Sequence, residues 1–166
     1  MTDNQKFELA DFLKHQHLCR SMTLQEIDKL LDFLSYEEFD RDEVIADIGQ
    51  VGENLYLVVS GEVKLEHRDA TGSEVEAGRL FEGELAGEMS FFDRQPRSVR
   101  MGAGTEKTGV LRLSREMYKR LRVEHPYLAV NLLEHALISL DHLFRRISTE
   151  YSQVTEYISG GGTQKG

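Results

Sequence analysis

The chain has 166 residues, 30% of them charged, and a formal net charge of −9. That length closes one core comfortably but hardly two, and the acidic balance excludes a surface that coats nucleic acid through its phosphates, though not a local pocket for a small anion. A single cysteine, Cys19, excludes an internal disulfide and any cysteine-based zinc or iron–sulfur centre, which makes a reduced cytoplasm the economical location.

Residues 7 to 38 read as helical. "TLQEIDKLLDFL" opens with Thr23 at an N-cap and Glu26 three residues on, a capping box, after which Ile27, Leu30, Leu31 and Leu34 share one helical face. The pattern changes after Tyr36. "EVIADIG", "NLYLVVSG", "EVKLEHRD", "EVEAGRLF", "RSVRMGA" and "GVLRLS" are short, β-branched segments with partial alternation, punctuated by glycines. Strands with turn signals at this spacing predict an antiparallel sandwich or barrel. The longest apolar run, Leu55 to Val59, is far too short to span a membrane, and the first residues lack the apolar stretch of a signal peptide.

Between the strands lies "FEGELAGEMSFFDRQPRSVR", expected to be a loop carrying a short helix. Its residue types suggest a ligand with two unlike ends. Arg97 is permanently charged and presents a planar fork of donors suited to phosphate oxygens. Pro96 stiffens the backbone before it, and Ser98 adds a hydroxyl beside it. Glu88 would repel an anion, so it fits either a sugar hydroxyl or a structural role orienting Arg97 or Arg100.

Beyond Arg115 the pattern is helical again. "SREMYKRLRVEH" is capped by Ser114 and ends before Pro126. A last helix is expected from about Tyr127 to Ile158. Its apolar positions Leu133, Leu137, Leu140, Phe144, Ile147, Tyr151, Val154 and Ile158 step 4-3-4-3-4-3-4, a heptad stripe. A second copy of the helix would cover it in a two-fold dimer; the alternative is that it folds back on its own domain. The glycine-rich residues 159–166 read as a flexible tail.

Two stretches together resemble the cyclic nucleotide-binding domain family: "GENLYLVVSGEVKL" (52–65), similar to its early strands, and "FEGELAGEMSFFDRQPRSVRMGAG" (81–104), similar to its phosphate-binding cassette. The resemblance runs from about Leu13 to about Ile147. It implies an α+β fold, an antiparallel β-roll or jelly-roll barrel with N-terminal helices, an inserted phosphate-binding helix and a long C-terminal helix. One domain would cover 1–158, divided into a helical segment (1–38), a roll (39–114) and C-terminal helices (115–158).

The resemblance further implies a cAMP or cGMP sensor that signals through its last helix to a partner. Arg97 and Ser98 would hold the cyclic phosphate, Glu88 the ribose 2′-hydroxyl with Gly87 and Met89 beside it, and Gly83 would supply a turn that lets the cassette approach the ligand. Leu143 would cap the chain's own pocket, with Phe144 at a dimer seam. Adenine-reading members place small hydroxyl residues at these two positions, so the base is left unread, and Ser98 permits either purine. DNA-binding members carry a helix-turn-helix after the long helix where this sequence has its glycine tail, so no direct DNA binding is expected. The competing reading is a dimerisation or docking module with a vestigial pocket or another small anionic ligand. No catalytic constellation occurs, so no enzyme is expected. The histidines, including His135 and His142 a heptad apart, have no metal-ligand spacing, and neither metal nor cofactor is expected.

Overall fold

The computed structural model describes residues 1–160; in the last helix the side chains at 147, 149 and 150–160 lie outside the description, and with them the expected stripe positions Ile147, Tyr151, Val154 and Ile158. The tail from 161 onward also lies outside it.

Helix α1 (Asp3–Lys14) is capped by Thr2, followed by a 3₁₀ turn (His17–Cys19) and α2 (Leu24–Leu31). The capping box of α2 is complete: the Thr23 hydroxyl accepts from the Glu26 N–H, and the Glu26 carboxylate accepts from the Thr23 N–H at 2.7 Å. Eight strands follow: β1 (Ser35–Asp40), β2 (Val44–Ala46), β3 (Asn54–Ser60), β4 (Val63–Arg68), β5 (Glu74–Leu80), β6 (Leu85–Ala86), β7 (Arg100–Ala103) and β8 (Lys107–Ser114). Helix α3 (Glu88–Asp93) lies between β6 and β7. Helices α4 (Arg115–Glu124) and α5 (Pro126–Gly160) close the chain. Two four-stranded antiparallel sheets, in the orders β1-β8-β3-β6 and β2-β7-β4-β5, form the roll.

Strands β3 and β8 of the first sheet are buried on both faces, which explains why "NLYLVVS" is apolar without strict alternation. Leu55 and Leu57 of β3, Leu85 of β6, and Leu111 and Leu113 of β8 face the helices and meet Leu13, Ile27, Leu30, Leu31, Leu121 and Leu128. Tyr56, Val58, Ala86 and Val110 point the other way, into the roll, against Val63, Leu80 and Met101 of the second sheet. Helix α5 enters the helical core through Leu128, Ala129, Leu132 and Ala136.

The helical reading of residues 7 to 38 is corrected at both ends. Helix α1 begins at Asp3, and β1 begins at Ser35, inside the stretch read as helical. Ser35–Asp40 pairs with Arg112–Lys107 of β8, and the cross-strand ion pairs Arg112–Glu37 (2.7 Å) and Lys107–Asp40 (2.6 Å) hold that register. Partners more than 65 positions away, not local propensity, make this a strand. Strand β6 lies in the stretch expected to be loop, paired through Leu57↔Leu85 and Tyr56↔Ala86.

Candidate functional site

Strand β6 delivers the chain into a left-handed residue, Gly87 (φ 90°), from which α3 starts. Arg94, at φ 66°, ends that helix, and the Asp93 carboxylate accepts from the Gln95 N–H at 2.8 Å. Ser90 pins α3 from inside: its hydroxyl accepts from the Gly52 N–H at 2.7 Å and donates to the Gln95 carbonyl. Gly52 is required there, because a Cβ would stand 2.7 Å from the Phe91 nitrogen and the Ser90 carbonyl carbon. The 49–51 loop then aligns the segment beyond α3. The Arg97 N–H donates to the Gln50 carbonyl and the Gly49 N–H to the Arg97 carbonyl, both at 2.8 Å, with a bridge between Val51 and Pro96. The Arg97 amide is therefore committed to the fold.

The Arg97 side chain is buried, 9% exposed, and its Nη2 donates to the Asn54 carbonyl at 3.2 Å. Among the described residues Arg97 forms no ion pair, whereas Arg79, Arg100, Arg112 and Arg115 all do. Arg100 is engaged by Asp47 (2.9 Å) and Glu74 (2.5 Å), not by Glu88. Burial draws the pKa of Arg97 downward, while the nearby Tyr56 and Glu88 act against that shift.

Glu88 is 7% exposed, and its Oε1 accepts from the Ser139 hydroxyl of α5 at 3.0 Å. Burial pushes its carboxyl above the usual range; its own backbone N–H and Ser139 oppose that, Glu84 adds to it, and the Arg97 charge opposes it. The glutamate is thus tied to the last helix, and neither Arg97 nor Arg100 is its ion-pair partner.

Gly87, Glu88, Met89, Arg97, Ser98 and Leu143 all line one cavity of about 300 Å³. Leu65, Leu80, Leu85, Val99 and Met101 supply apolar walls from the roll, and Ser139, Leu140 and Leu143 form the α5 side. Such a cavity, apolar with a few convergent polar groups, has the size and character of a small-molecule site. A fixed positive fork with the Ser98 hydroxyl can hold an anion; a buried carboxylate can accept from a hydroxyl.

Other expected positions are placed differently. Phe144 is 71% exposed and outside the cavity lining, while Leu140 of the heptad stripe belongs to that lining. Leu133 and Leu137 are exposed. Gly83 takes its turn at φ 83° but faces Gln16, and its carbonyl accepts from His135 Nε2 at 3.2 Å. Ser139 was not foreseen. The signal lay in helical spacing, since it stands one turn before Leu143 on the same face.

A family profile described as Cyclic nucleotide-binding domain matches residues 36–125. The chain is 35% identical over 120 residues to a Cyclic AMP receptor protein of Thermus thermophilus, covering 72% of this chain and 55% of that protein. It is 31% identical over 102 residues to a cAMP-dependent protein kinase regulatory subunit of Debaryomyces hansenii, covering 61% of this chain and 22% of that protein. Among solved structures, a cyclic nucleotide-binding domain from Methylobacillus flagellatus superposes with a TM-score of 0.75 at 25% identity, over 87% of this chain and 80% of that one. The Thermus thermophilus Catabolite Activator Protein superposes with a TM-score of 0.66 at 33% identity, over 83% and 62%. The chain thus spans about half the length of the receptor protein and less of the kinase subunit.

Proposed function

This chain belongs to the cyclic nucleotide-binding domain family, and we propose that it is a regulatory sensor for cAMP or cGMP that signals through α5. The single observation carrying the reading is the buried Arg97, without an ion pair among the described residues, lining one apolar cavity with the buried Glu88. Arg97 and Ser98 would hold the cyclic phosphate, Glu88 the ribose hydroxyl, Gly87 and Met89 the edge beside it, and Leu143 would close over the base. Leu143 offers no hydrogen bond, so either purine is accommodated.

Signalling follows if the nucleotide prefers one position of α5 over another, which shifts the population between them. The α5 residues on the cavity, Ser139, Leu140 and Leu143, give the ligand that handle. We further propose a homodimer through the outer face of α5, supported by exposed Leu133, Leu137 and Phe144. A binding rather than a catalytic role is supported by the family, and the net charge of −9 argues against direct DNA contact. The buried Cys19, its thiol pushed up to about 12 by desolvation, suits a reducing cytoplasm, and no helix among the described residues is long and apolar enough to cross a membrane.

Calorimetric titration with cAMP and cGMP, for the wild type and Arg97→Ala, tests the reading. At least one nucleotide binds the wild type, and Arg97→Ala weakens it about 100-fold, the effect of losing a charge-assisted pair of hydrogen bonds. No heat from the wild type with either nucleotide overturns it.

A further inference from the structure

Helix α5 reaches the cavity with three side chains, Ser139, Leu140 and Leu143, and only Ser139 among them can form a side-chain hydrogen bond. It spends that capacity on Glu88, donating to Oε1 at 3.0 Å. Both residues line the same cavity, so a ligand hydroxyl that reaches the Glu88 carboxylate also meets the Ser139 hydroxyl. A carboxylate accepts about four hydrogen bonds, and Glu88 already takes its own backbone N–H and Ser139. Acceptor capacity therefore remains for about two more donors.

We propose that Ser139 is a second ribose-recognition residue, which shares the buried Glu88 carboxylate with the ligand's 2′-hydroxyl and makes α5 part of the ribose site. The inference rests on reading the cavity as a cyclic nucleotide site. Its physics is the scarcity of donors around a carboxylate that is 7% exposed. In a dry surrounding each donor to a buried charge matters more as the others are removed. Ser139 and the ribose hydroxyl would donate to the same charge, so the loss of one raises the weight of the other. Two further polar contacts on α5 reach the same short segment: His135 Nε2 to the Gly83 carbonyl at 3.2 Å, and Arg146 to Glu84 at 3.5 Å. Residues 83–88 are thereby tied to α5 at three points. A ribose that changes the state of Glu88 changes the middle tie directly, with no intermediate element.

The test is a cycle of two ligands and three proteins. Wild type, Ser139→Ala and Ser139→Thr are titrated with cAMP and with its 2′-deoxy analogue, and the ratio of the two dissociation constants is compared. Alanine is favoured in a helix, so the variant keeps α5 intact. In Ser139→Ala the penalty for the missing 2′-hydroxyl grows about tenfold over wild type, because the Glu88 carboxylate then lacks both side donors. Threonine, which keeps the hydroxyl, restores the wild-type ratio to within about twofold. The same ratio in all three proteins overturns the proposal. Amide hydrogen exchange supplies the second readout: saturating cAMP slows exchange in the 135–146 stretch of wild type and does so much less in Ser139→Ala. Equal protection in both overturns the link to α5. Where the wild type binds only cGMP, cGMP and its 2′-deoxy analogue take the place of the cAMP pair; failure of the wild type to bind either nucleotide overturns the nucleotide reading itself and is recognised in that arm alone.

Discussion

The Arg97 guanidinium packs against the bare α-carbon of Gly87: a Cβ on residue 87 would lie 2.9 Å from Nη1 and 3.1 Å from Nη2. Gly87 also sits at φ 90°, where an L side chain costs about 1–2 kcal/mol. The glycine thus serves the turn into α3 and the seat of the arginine at once. Gly87→Ala is expected to lower Tm by about 2–8 °C and to weaken nucleotide binding at least about tenfold, since the fork must shift. Thermal melts and calorimetry read the two effects. Wild-type affinity in a destabilised variant would show that the contact does not set the position of Arg97.

Glu88 is a stability cost at neutral pH. Burial raises its folded pKa above the ordinary 4.5, so the folded state holds the proton more tightly than the unfolded chain. Its contribution is fully favourable below 4.5 and is lost as pH rises through the raised folded value. At neutral pH the charged, buried carboxylate therefore subtracts from stability. Glu88→Gln removes that charge and should raise Tm at pH 7 while weakening the ribose contact. Melts from pH 5 to 8 check the sign: a variant less stable than wild type at pH 7 contradicts the burial argument.

His135 contributes a slope of the opposite sign. Burial holds it below 6.5, against the pull of the Gly83 carbonyl, with the neighbouring charges of His17 and His142 adding to the lowering. The His17 ring stacks on it at 5.8 Å, and the His135 Nδ1 has no hydrogen-bond partner among the described residues. The unfolded chain takes up the proton first on acidification, so this contribution is present above 6.5 and is lost as pH falls toward the lowered folded value. His135→Gln is expected to flatten the loss of Tm below pH 6.5. An unchanged slope assigns that loss to other groups.

The cassette was legible because its parts are contiguous: Gly87 through Ser98 fall within twelve positions, and the structure gathers them on one cavity. The caps at Thr23 and Ser114 were legible for the same reason, each closing within three residues. Strand β1 was not, since its neighbours on β8 lie 67 to 77 positions on. Ser139 was missed likewise, because its partner Glu88 lies 51 positions away. Helix α5 shows a different limit. It carries two apolar rows, Leu128, Leu132 and Ala136 on the domain and Leu133, Leu137 and Phe144 on the outside, and periodicity alone cannot say which row is buried. Leu140 fits the heptad, yet the fold turns it toward the cavity.

Ser90 is the internal pin of α3, and its removal should be felt as stability. Ser90→Ala leaves the Gly52 N–H and the Gln95 carbonyl without their partner, a loss of about 1–3 kcal/mol for buried polar groups. Gly52→Ala is expected to cost more, because its Cβ would meet the backbone of residues 90 and 91, which cannot yield as a side chain end would. Urea unfolding ranks them. Equal stability of wild type and Ser90→Ala would mean that water takes over both bonds.

The outer face of α5 separates assembly from folding. Leu137 and Phe144 are 68% and 71% exposed, so replacing them removes little that the protomer buries. Surface changes of this kind shift stability by no more than about 0.5 kcal/mol. A charge at either position would nonetheless be costly between two packed helices, where an unpaired ion loses its water. The double variant Leu137→Glu, Phe144→Glu should therefore keep the wild-type melt and nucleotide affinity yet sediment as a monomer at micromolar concentrations where the wild type sediments as a dimer. If the wild type is itself monomeric there, the second copy is not what covers this face. If the variant stays dimeric, the contact lies elsewhere on the domain.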